Sequence, residues 1–253
     1  MSLRRLWVEQ KQIQQNQVVL EGESFHHAVH VIRLRVGEEF EVVCGEAQAW
    51  HVQIKEIGKK RAIAEILGKN KLAALRLPHI HLALALPKWA TFEWVVEKSV
   101  EMGVYSVQPL FSEFSYTRQQ KDYSANKIER MQKIIRAATE QSARAELLKL
   151  YPPKRLLDFA GELNQNVECV CLFAYEGPTS LDIQTALQHR TFNSVKDIWV
   201  IVGSEGGFSE AEVRDLSKFG LEPVTMGEQI LRVDTACLSL LSVIKYHVGL
   251  MRR

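Results

Sequence analysis

The sequence lacks the short motifs that most often identify a ligand site. Its 14 glycines never form G-x-G-x-x-G or G-x-x-x-x-G-K-[ST], which argues against the usual dinucleotide and nucleotide-phosphate loops. The four cysteines include no C-x-x-C pair, so neither a zinc centre nor a redox pair is expected. No apolar run approaches the roughly 18 residues that span a bilayer, and the first residues do not follow the signal-peptide pattern. We therefore expect a cytoplasmic protein without a metal ion or a membrane partner.

Composition and charge are those of an ordinary globular protein. With 253 residues, 46% hydrophobic and 25% charged, the chain can bury the core of one large or two modest domains. The net charge is only +2, but between residues 118 and 155 ten basic residues accompany four acidic ones. Such a segment can neutralise phosphates, or it can form the solvated face of a helix. Charge alone therefore leaves nucleic-acid binding open.

Hydrophobic patterning divides the chain near residue 72. Residues 1–72 contain short strands separated by glycines, which predict a small β-rich domain. Residues 73–253 alternate between strands and helices, which predicts an α/β domain with a mostly parallel sheet. The predicted strands lie at 17–20, 39–43, 50–57, 61–66, 80–86, 105–110, 169–174, 198–202 and 222–225, and the predicted helices at 88–102, 125–146, 179–189, 209–219 and 235–249.

Two glycine-containing loops in the second half carry the clearest functional signal. Residues 203–208 read G-S-E-G-G-F between a predicted strand and a helix that Ser209 and Glu212 can cap. Residues 226–236 read M-G-E-Q-I-L-R-V-D-T-A after the next predicted strand. Glycines there allow positive φ angles and let a ligand approach bare backbone amides, while Glu205 is expected to fix the glycine turn. The two loops therefore predict a ligand pocket.

These loops, together with four further elements, resemble the RsmE family. The patterns G-S-E-G-G-F-S-x-x-E and M-G-x-x-I-L-R-x-D-T-A are similar to its two signature loops. R-R-L-W at 4–7 is similar to the family's opening, and H-H-A-V-H-V-I-R at 26–33 to its H-H-x-x-x-V-L-R element. K-x4-E-x4-K-x2-E-M-G at 88–103 resembles a family helix, and E-Q-S-A-R at 140–144 resembles its E-Q-S-G-R element. The similarity extends over nearly the whole chain.

RsmE proteins are SPOUT-class methyltransferases that use S-adenosylmethionine to modify N3 of a uridine in 16S ribosomal RNA of the small subunit. The resemblance implies a PUA-like β-barrel RNA-binding domain over residues 1–72. It implies a SPOUT α/β domain over residues 73–253, whose last loops form a trefoil knot. It also implies a homodimer, with 16S rRNA or the assembled small ribosomal subunit as the substrate.

The resemblance further implies which residues bind the cofactor and the RNA. Backbone and apolar groups in and near the two loops would hold S-adenosylmethionine, namely Leu172, Val202, Gly203, Gly206, Gly207, Met226, Gly227, Ile230, Leu231, Thr235 and Ala236. Basic and imidazole side chains of the other elements would contact RNA, namely Arg4, Arg5, His26, His27, Arg33 and Arg144.

The chemistry of uridine N3 methylation singles out two more residues. The imide proton must leave before or during methyl transfer, so the site needs a base or a group that stabilises the anion. Arg232, in the second loop, stays protonated and could stabilise negative charge on the uracil oxygens. Glu176 follows the predicted strand 169–174, where a parallel sheet places ligands, and is the candidate base. Arg232 and Glu176 are therefore the predicted catalytic residues.

Five positions depart from the family's pattern. Phe114 stands where arginine is often found and Gln229 where a basic residue is common. Ser204, Asp234 and Ala143 stand where proline, glutamate and glycine are usual. The glycine frame and I-L-R are retained, so the departures bear on RNA contact rather than on cofactor binding. Two alternatives stay open: another SPOUT methyltransferase that acts on tRNA, or a non-catalytic RNA-binding relative.

Overall fold

A computed structural model describes residues 4–45, 47–119, 123–163, 168–179, 181–192 and 195–252. The chain forms two compact units. The N-terminal unit comprises Met1–Leu75 and Arg136–Leu147, and the C-terminal unit comprises Arg76–Ile135 and Leu148–Arg253. Residues 136–147 thus group with the N-terminal strands, which the predicted two-segment division did not include.

The N-terminal unit is built on a five-stranded sheet. Its strands are β1 (Arg5–Trp7), β2 (Gln17–Glu21), β3 (Glu39–Val43), β4 (Gln48–Ile57) and β5 (Arg61–Lys71), in the order β1-β3-β4-β5-β2. β1 pairs with β3 in parallel, and the other pairs are antiparallel. Alternate residues point into one core, among them Leu20, Phe40, Val42, Val52 and Ile54, as a half-buried sheet requires. The register between β4 and β5 shifts at two places, between His51 and Val52 and between Ile54 and Glu56.

Three short helical segments complete this part of the chain. They are a 3-10 helix (Gln10–Gln12), helix α1 (Gly22–His26) and a π-helical turn (His27–Val31). Phe25 and Ala28 of the last two are buried against the strands. The paired histidines of the sequence therefore lie where α1 meets the π-helical turn.

The C-terminal unit is a seven-stranded sheet with parallel pairing throughout. Its strands are β6 (His79–Ala85), β7 (Ser106–Phe111), β8 (Lys149–Leu150), β9 (Lys154–Arg155), β10 (Cys169–Ala174), β11 (Asp197–Val202) and β12 (Pro223–Val224). The remaining helices are α2 (Trp89–Glu101), α3 (Ala125–Gln141), α4 (Leu156–Leu163), α5 (Ile183–Gln188), α6 (Glu210–Lys218) and α7 (Val233–His247). Alternation of strands and helices builds the parallel sheet, so the predicted α/β class is confirmed. None of the helices in the described ranges is long and apolar enough to cross a membrane.

The strand order brings four loops together where the strands finish, at the carboxyl edge of this sheet. The order is β12-β10-β11-β6-β7-β8, with β9 beside β7, so β11 lies between β10 and β6. Registers align the carboxyl ends, with Val202 opposite Leu84 and Ala174 opposite Val224. The loops after β6, β10, β11 and β12 therefore leave the sheet at neighbouring positions, where open α/β sheets bind ligands.

Helix α3 ends at Gln141 rather than near residue 146, where the sequence pattern predicted its end. Ala143 has φ +57°, a left-handed conformation that cannot continue a right-handed helix. Glycine adopts this conformation without strain, whereas a residue with a side chain, such as Ala143, adopts it at a cost. The apolar periodicity continues past Gln141, so the sequence pattern alone did not reveal the end.

Other boundaries differ by a few residues for local reasons. β5 extends to Lys71 because that residue still pairs with Gln48 of β4. α5 begins only after Asp182, whose carboxylate accepts from the amide of Thr185 at 2.8 Å. The predicted cap of α6 is confirmed: Ser209 and Glu212 form a reciprocal capping box.

Candidate functional site

A cavity of about 500 Å³ lies at the carboxyl edge of the parallel sheet. The loops after β6, β10, β11 and β12 and the first turns of α2 and α7 line it. Its volume is in the range of small-molecule sites. Apolar groups such as Ile230 and Leu231 lie beside charged ones, including Arg232 and Glu176.

Most of the residues predicted to bind the cofactor lie on this cavity. Those that line it are Val202, Gly203, Gly207, Met226, Gly227, Ile230, Leu231 and Ala236. Three others do not line it. Leu172 is buried within β10 at 1% exposure, Gly206 is turned toward Phe114, and Thr235 lies in the first turn of α7, its amide bonded to Asp234.

Two glycines of the first loop are favoured by close contacts within the chain, and the third is favoured by its backbone conformation. A Cβ atom on Gly203 would lie 2.9 Å from Cα of Gly207, and one on Gly206 would lie 2.9 Å from Cβ of Phe114. Gly207 has φ +67°, a backbone conformation that other residues rarely adopt, and it faces the carboxylate of Glu176. Positive φ angles and a close ligand were both predicted for this loop. Gly207 has the positive φ, and the contact with a ligand stays a prediction.

Glu205 also has a different structural role from the one expected. Its carboxylate accepts a hydrogen bond from the backbone amide of Lys88 at 3.0 Å. Lys88 immediately precedes α2, and a carboxylate is favourable at a helix N-terminus. Glu205 therefore ties the loop after β11 to the start of α2, two segments that both line the cavity.

Arg232 and Glu176, the predicted catalytic pair, both line the cavity and are both exposed. Arg232 is the N-cap residue of α7, and its carbonyl accepts from the amide of Ala236 at 2.8 Å. Glu176 comes two residues after β10 and lies against Gly207. The arrangement brings a permanent cation and a carboxylate to one cavity, where they can act on an ionising substrate.

Two pairs of departures from the family pattern can now be placed. Ser204 and Phe114 contact each other, because the Ser204 hydroxyl donates to the Phe114 carbonyl at 2.7 Å. A proline at 204 could not make this bond. Gln229 and Asp234 both line the cavity.

The residues predicted to contact RNA lie in the N-terminal unit. Arg4, Arg5 and His27 line a groove of about 390 Å³ together with Glu140 and Ala143. Arg5 is bound to Glu41 at 2.6 Å and donates to the Ala143 carbonyl. Glu140 accepts from the amide of Trp7 at 2.7 Å and lies 3.2 Å from Nδ1 of His27. That contact raises the pKa of His27.

The other three members of this set differ in exposure. His26 and Arg33 are exposed, and Arg33 has φ +61°. Arg144 is only 7% exposed, and burial lowers its pKa to about 10. The groove therefore combines two sequence elements, R-R-L-W and E-Q-S-A-R, that are far apart in the chain.

Sequence reasoning missed several lining residues of the cavity. Lys88 and Tyr175 line it from the loops after β6 and β10, and Thr91 lines it from the first turn of α2. Lys88 and Tyr175 each follow a predicted strand of the parallel sheet, and that position was a usable signal. In the described ranges, no group of three or more histidine, cysteine or acidic side chains is placed to hold a metal ion.

Comparisons with known proteins agree with this architecture. A family model described as an RNA methyltransferase domain matches residues 75–245, and one described as an RNA methyltransferase PUA domain matches residues 20–67. The ribosomal RNA small subunit methyltransferase E of Buchnera aphidicola subsp. Acyrthosiphon pisum is 28% identical over 91% of this chain and 88% of its own.

Two solved structures with bound S-adenosylmethionine are also similar. The ribosomal RNA small subunit methyltransferase E of Neisseria gonorrhoeae is 25% identical, covers 96% of this chain and 97% of its own, and has a TM-score of 0.82. A Legionella pneumophila protein is 27% identical, covers 97% and 98%, and has a TM-score of 0.85. These matches confirm the predicted fold class, with its SPOUT sheet and PUA-like domain. The chain therefore belongs to the RNA methyltransferase family that its sequence resembles, the RsmE family.

Proposed function

We propose that this protein transfers the methyl group of S-adenosylmethionine to N3 of a uridine in 16S ribosomal RNA. The observation that carries the proposal is the cavity at the carboxyl edge of the parallel sheet, which holds both Arg232 and Glu176. Relatives over nearly the full chain are named as small-subunit ribosomal RNA methyltransferases, which supports the substrate class. The reaction would take place in the cytoplasm, where ribosomal subunits are assembled.

The cavity fits an adenosine with an attached sulfonium. Ile230 is 81% exposed although it lines the cavity with Leu231 and Val202. Burying these side chains against an adenine ring would remove apolar surface from water. Backbone groups of Gly203, Gly207 and the loop after β12, which line the cavity, would read the polar edge of the base. When bound, the cofactor supplies an electrophilic methyl group.

The chain's own residues would handle the proton and the charge of the uracil. Neutral uracil carries a proton on N3, and that nitrogen becomes nucleophilic as the proton leaves. The carboxylate of Glu176 can accept this proton. The guanidinium of Arg232 can donate hydrogen bonds to the uracil oxygens as negative charge develops there.

The N-terminal unit would hold the RNA by the groove and the exposed residues around it. Arg4 lines the groove and donates to the Ile32 carbonyl at 3.1 Å, while His26 and Arg33 are exposed nearby in sequence. These three can reach phosphates. Arg5 and Arg144 would act by holding the groove in shape, because one is paired with Glu41 and the other is buried. This assigns RNA binding to the predicted domain over residues 1–72, supplemented by residues 136–147.

We further propose a homodimer whose interface includes α7. Leu241 and Ile244 of this helix are buried, whereas Tyr246 is 78% and Val243 37% exposed. Apolar surface on a second face of a helix is typical of a subunit interface. Light scattering at micromolar concentration should give the mass of two chains. A monomer would contradict the dimer while leaving the enzymatic proposal intact.

The proposal is tested by incubating the purified protein with S-adenosylmethionine and RNA. Small subunits and naked 16S rRNA from a strain that lacks the gene should each be offered, with bulk tRNA as the competing substrate. Mass spectrometry of nuclease digests should detect 3-methyluridine in the ribosomal RNA. Methylation of tRNA, or of another position in the ribosomal RNA, would indicate a different SPOUT methyltransferase activity. Cofactor binding without methylation of any RNA would favour the non-catalytic alternative.

A further inference from the structure

The loop that follows β7 exposes two aromatic rings and a guanidinium. Phe114 and Tyr116 are 41% and 64% exposed, and Arg118, two residues further, is exposed as well. Exposed rings at alternate positions, followed by a cation, form the combination that single-stranded nucleic acids bind, because bases stack on the rings and phosphates contact the cation.

Hydrogen bonds below the surface hold this loop in one conformation. Ser112 and Ser115 are 7% and 1% exposed. The Ser112 amide donates to the Ser115 hydroxyl at 2.9 Å, and the two hydroxyls are 2.9 Å apart. The Tyr116 amide donates to the Leu86 carbonyl at the end of β6, at 2.8 Å. The rings are therefore presented by a fixed backbone, which lowers the entropy lost on binding.

The same loop is attached to the wall of the cavity. Ser204 lines the cavity and donates to the Phe114 carbonyl at 2.7 Å. A Cβ on Gly206 would lie 2.9 Å from Cβ and 3.3 Å from Cγ of Phe114. Phe114 thus packs directly on the glycine loop, whose Gly203 and Gly207 line the cavity.

We propose that Phe114, Tyr116 and Arg118 form a binding site for single-stranded RNA next to the methylated nucleotide. Bases that flank the target stack on the two rings, and a phosphate contacts Arg118, which is positioned by the bond from its Nε to the Ser115 carbonyl at 3.2 Å. The ring of Phe114 carries no charge, so this contact is insensitive to salt. The inference rests on the proposed function for the identity of the neighbouring base.

Binding of a short fluorescent oligouridylate to the full-length protein tests the site. Phe114→Ala and Tyr116→Ala should each weaken binding roughly 5- to 150-fold, the range expected for loss of one stacked base. The slope of log affinity against log salt should not change for either, because no charge is removed. Arg118→Ala should reduce that slope by roughly 0.7, the value for one phosphate contact on a single strand. Tyr151→Ala is the matched control, since Tyr151 is an exposed ring, at 38%, that follows β8.

Two further measurements separate stacking from packing. An oligonucleotide that is abasic throughout should bind the wild type and Phe114→Ala equally, because it offers no base to stack. Affinity for S-adenosylmethionine should be the same in both proteins. The proposal is overturned if oligouridylate fails to bind, if Phe114→Ala binds it as well as the wild type does, or if the loss persists with the abasic strand.

The outcomes also distinguish this site from the proposed activity. If the Phe114→Ala variant methylates ribosomal RNA normally, the proposed function stands and the proposed stacking site is wrong. If the protein binds oligouridylate through Phe114 but methylates no RNA, the proposed stacking site stands and the proposed function is wrong.

Discussion

Ionisable side chains lie at both ends of the parallel sheet, the carboxyl edge, where the strands finish, and the amino edge, where they begin. They are exposed at the carboxyl edge and mostly buried at the amino edge. At the carboxyl edge, Arg232 and Glu176 are exposed on a cavity. At the amino edge, His81 is 5% exposed, with Nδ1 2.7 Å from the Ser106 hydroxyl and Nε2 2.8 Å from Asp197. Its ring also stacks on Trp199 at 4.4 Å. Polar groups are left for a ligand at one edge and satisfied by the chain at the other.

The comparison teaches that residue types do not by themselves make a site. Ser106, His81 and Asp197 have the composition of a hydrolase triad and hydrogen-bond distances to match. Ser106 is completely buried, so no substrate can reach its hydroxyl. An ionised Asp197 can only accept, which assigns the proton to Nε2 and makes Nδ1 the acceptor for Ser106. The cluster is therefore a structural network, and its loss should affect stability rather than methyl transfer.

The largest expected effect is that of removing the cation from the cavity. Arg232→Ala should slow single-turnover methyl transfer roughly 10²- to 10³-fold, the loss typical of one donor to a developing oxyanion. The control is Arg214→Ala, which removes an exposed arginine of α6, with a side chain 68% exposed, outside the cavity. An Arg232→Ala enzyme that works at the wild-type rate would remove this residue from the mechanism.

Removing the carboxylate tests which group handles the N3 proton. If Glu176 is the base, Glu176→Gln should slow the reaction by roughly 10² or more, with cofactor and RNA affinity retained. Raising the pH should restore part of the rate, because solvent then helps to ionise N3. If Arg232 alone lowers the barrier, Glu176→Gln will be nearly silent. Rates of both variants across a pH series on the same RNA distinguish these cases.

At the amino edge the expected loss is one of stability. His81→Ala leaves Asp197 and Ser106 without their partner and opens a cavity beside Trp199, which should cost roughly 2–4 kcal/mol in the free energy of unfolding. Urea denaturation measures this loss, and His26→Ala is the control because His26 is an exposed histidine. The folded fraction of His81→Ala should still bind S-adenosylmethionine as the wild type does. If the folded variant has lost affinity for the cofactor, the amino-edge network also supports the cavity, and the two ends of the sheet do not have separate roles.

A smaller effect is expected from adding a side chain to the glycine loop. Gly207→Val places a branched residue at φ +67° and directs its Cβ at the Glu176 carboxylate, so cofactor affinity should fall roughly tenfold or more. Gly220→Val is a matched control: Gly220 has φ +73°, and a Cβ there has no neighbour within 4 Å. It carries the same backbone strain after α6. Calorimetric titration should show weak binding only for Gly207→Val, and wild-type affinity in that variant would refute the placement of the cofactor.

The carboxyl edge was predictable from sequence to a degree that the amino edge was not. Strand periodicity located β10 and β11, and the glycines and I-L-R after them marked loops that belong to one cavity. His81, Ser106 and Asp197 sit at ordinary positions of three strands, and only the register between those strands brings them together. The contact of Phe114 with Gly206 is equally invisible, because it joins two loops about ninety residues apart. Long-range pairing sets such contacts, and local pattern carries no information on it.

The smallest expected effect is the pH dependence of stability, which has opposite signs in two histidines. Burial lowers the pKa of His81 below its usual 6.5, whereas the hydrogen bond with Glu140 raises that of His27. The stabilisation from neutral His81 is complete above pH 6.5 and is lost as the pH falls toward its folded-state pKa, because the unfolded chain binds the proton more tightly. The stabilisation from His27 is complete below pH 6.5 and is lost as the pH rises through its folded-state pKa. Urea denaturation of the wild type, His81→Gln and His27→Gln between about pH 5 and 8 measures both. The difference between wild type and His81→Gln should shrink in acid, and that for His27→Gln should shrink in alkali. If the difference for His81→Gln shrinks in alkali instead, burial does not lower the pKa of His81. If the difference for His27→Gln shrinks in acid instead, the hydrogen bond with Glu140 does not raise the pKa of His27.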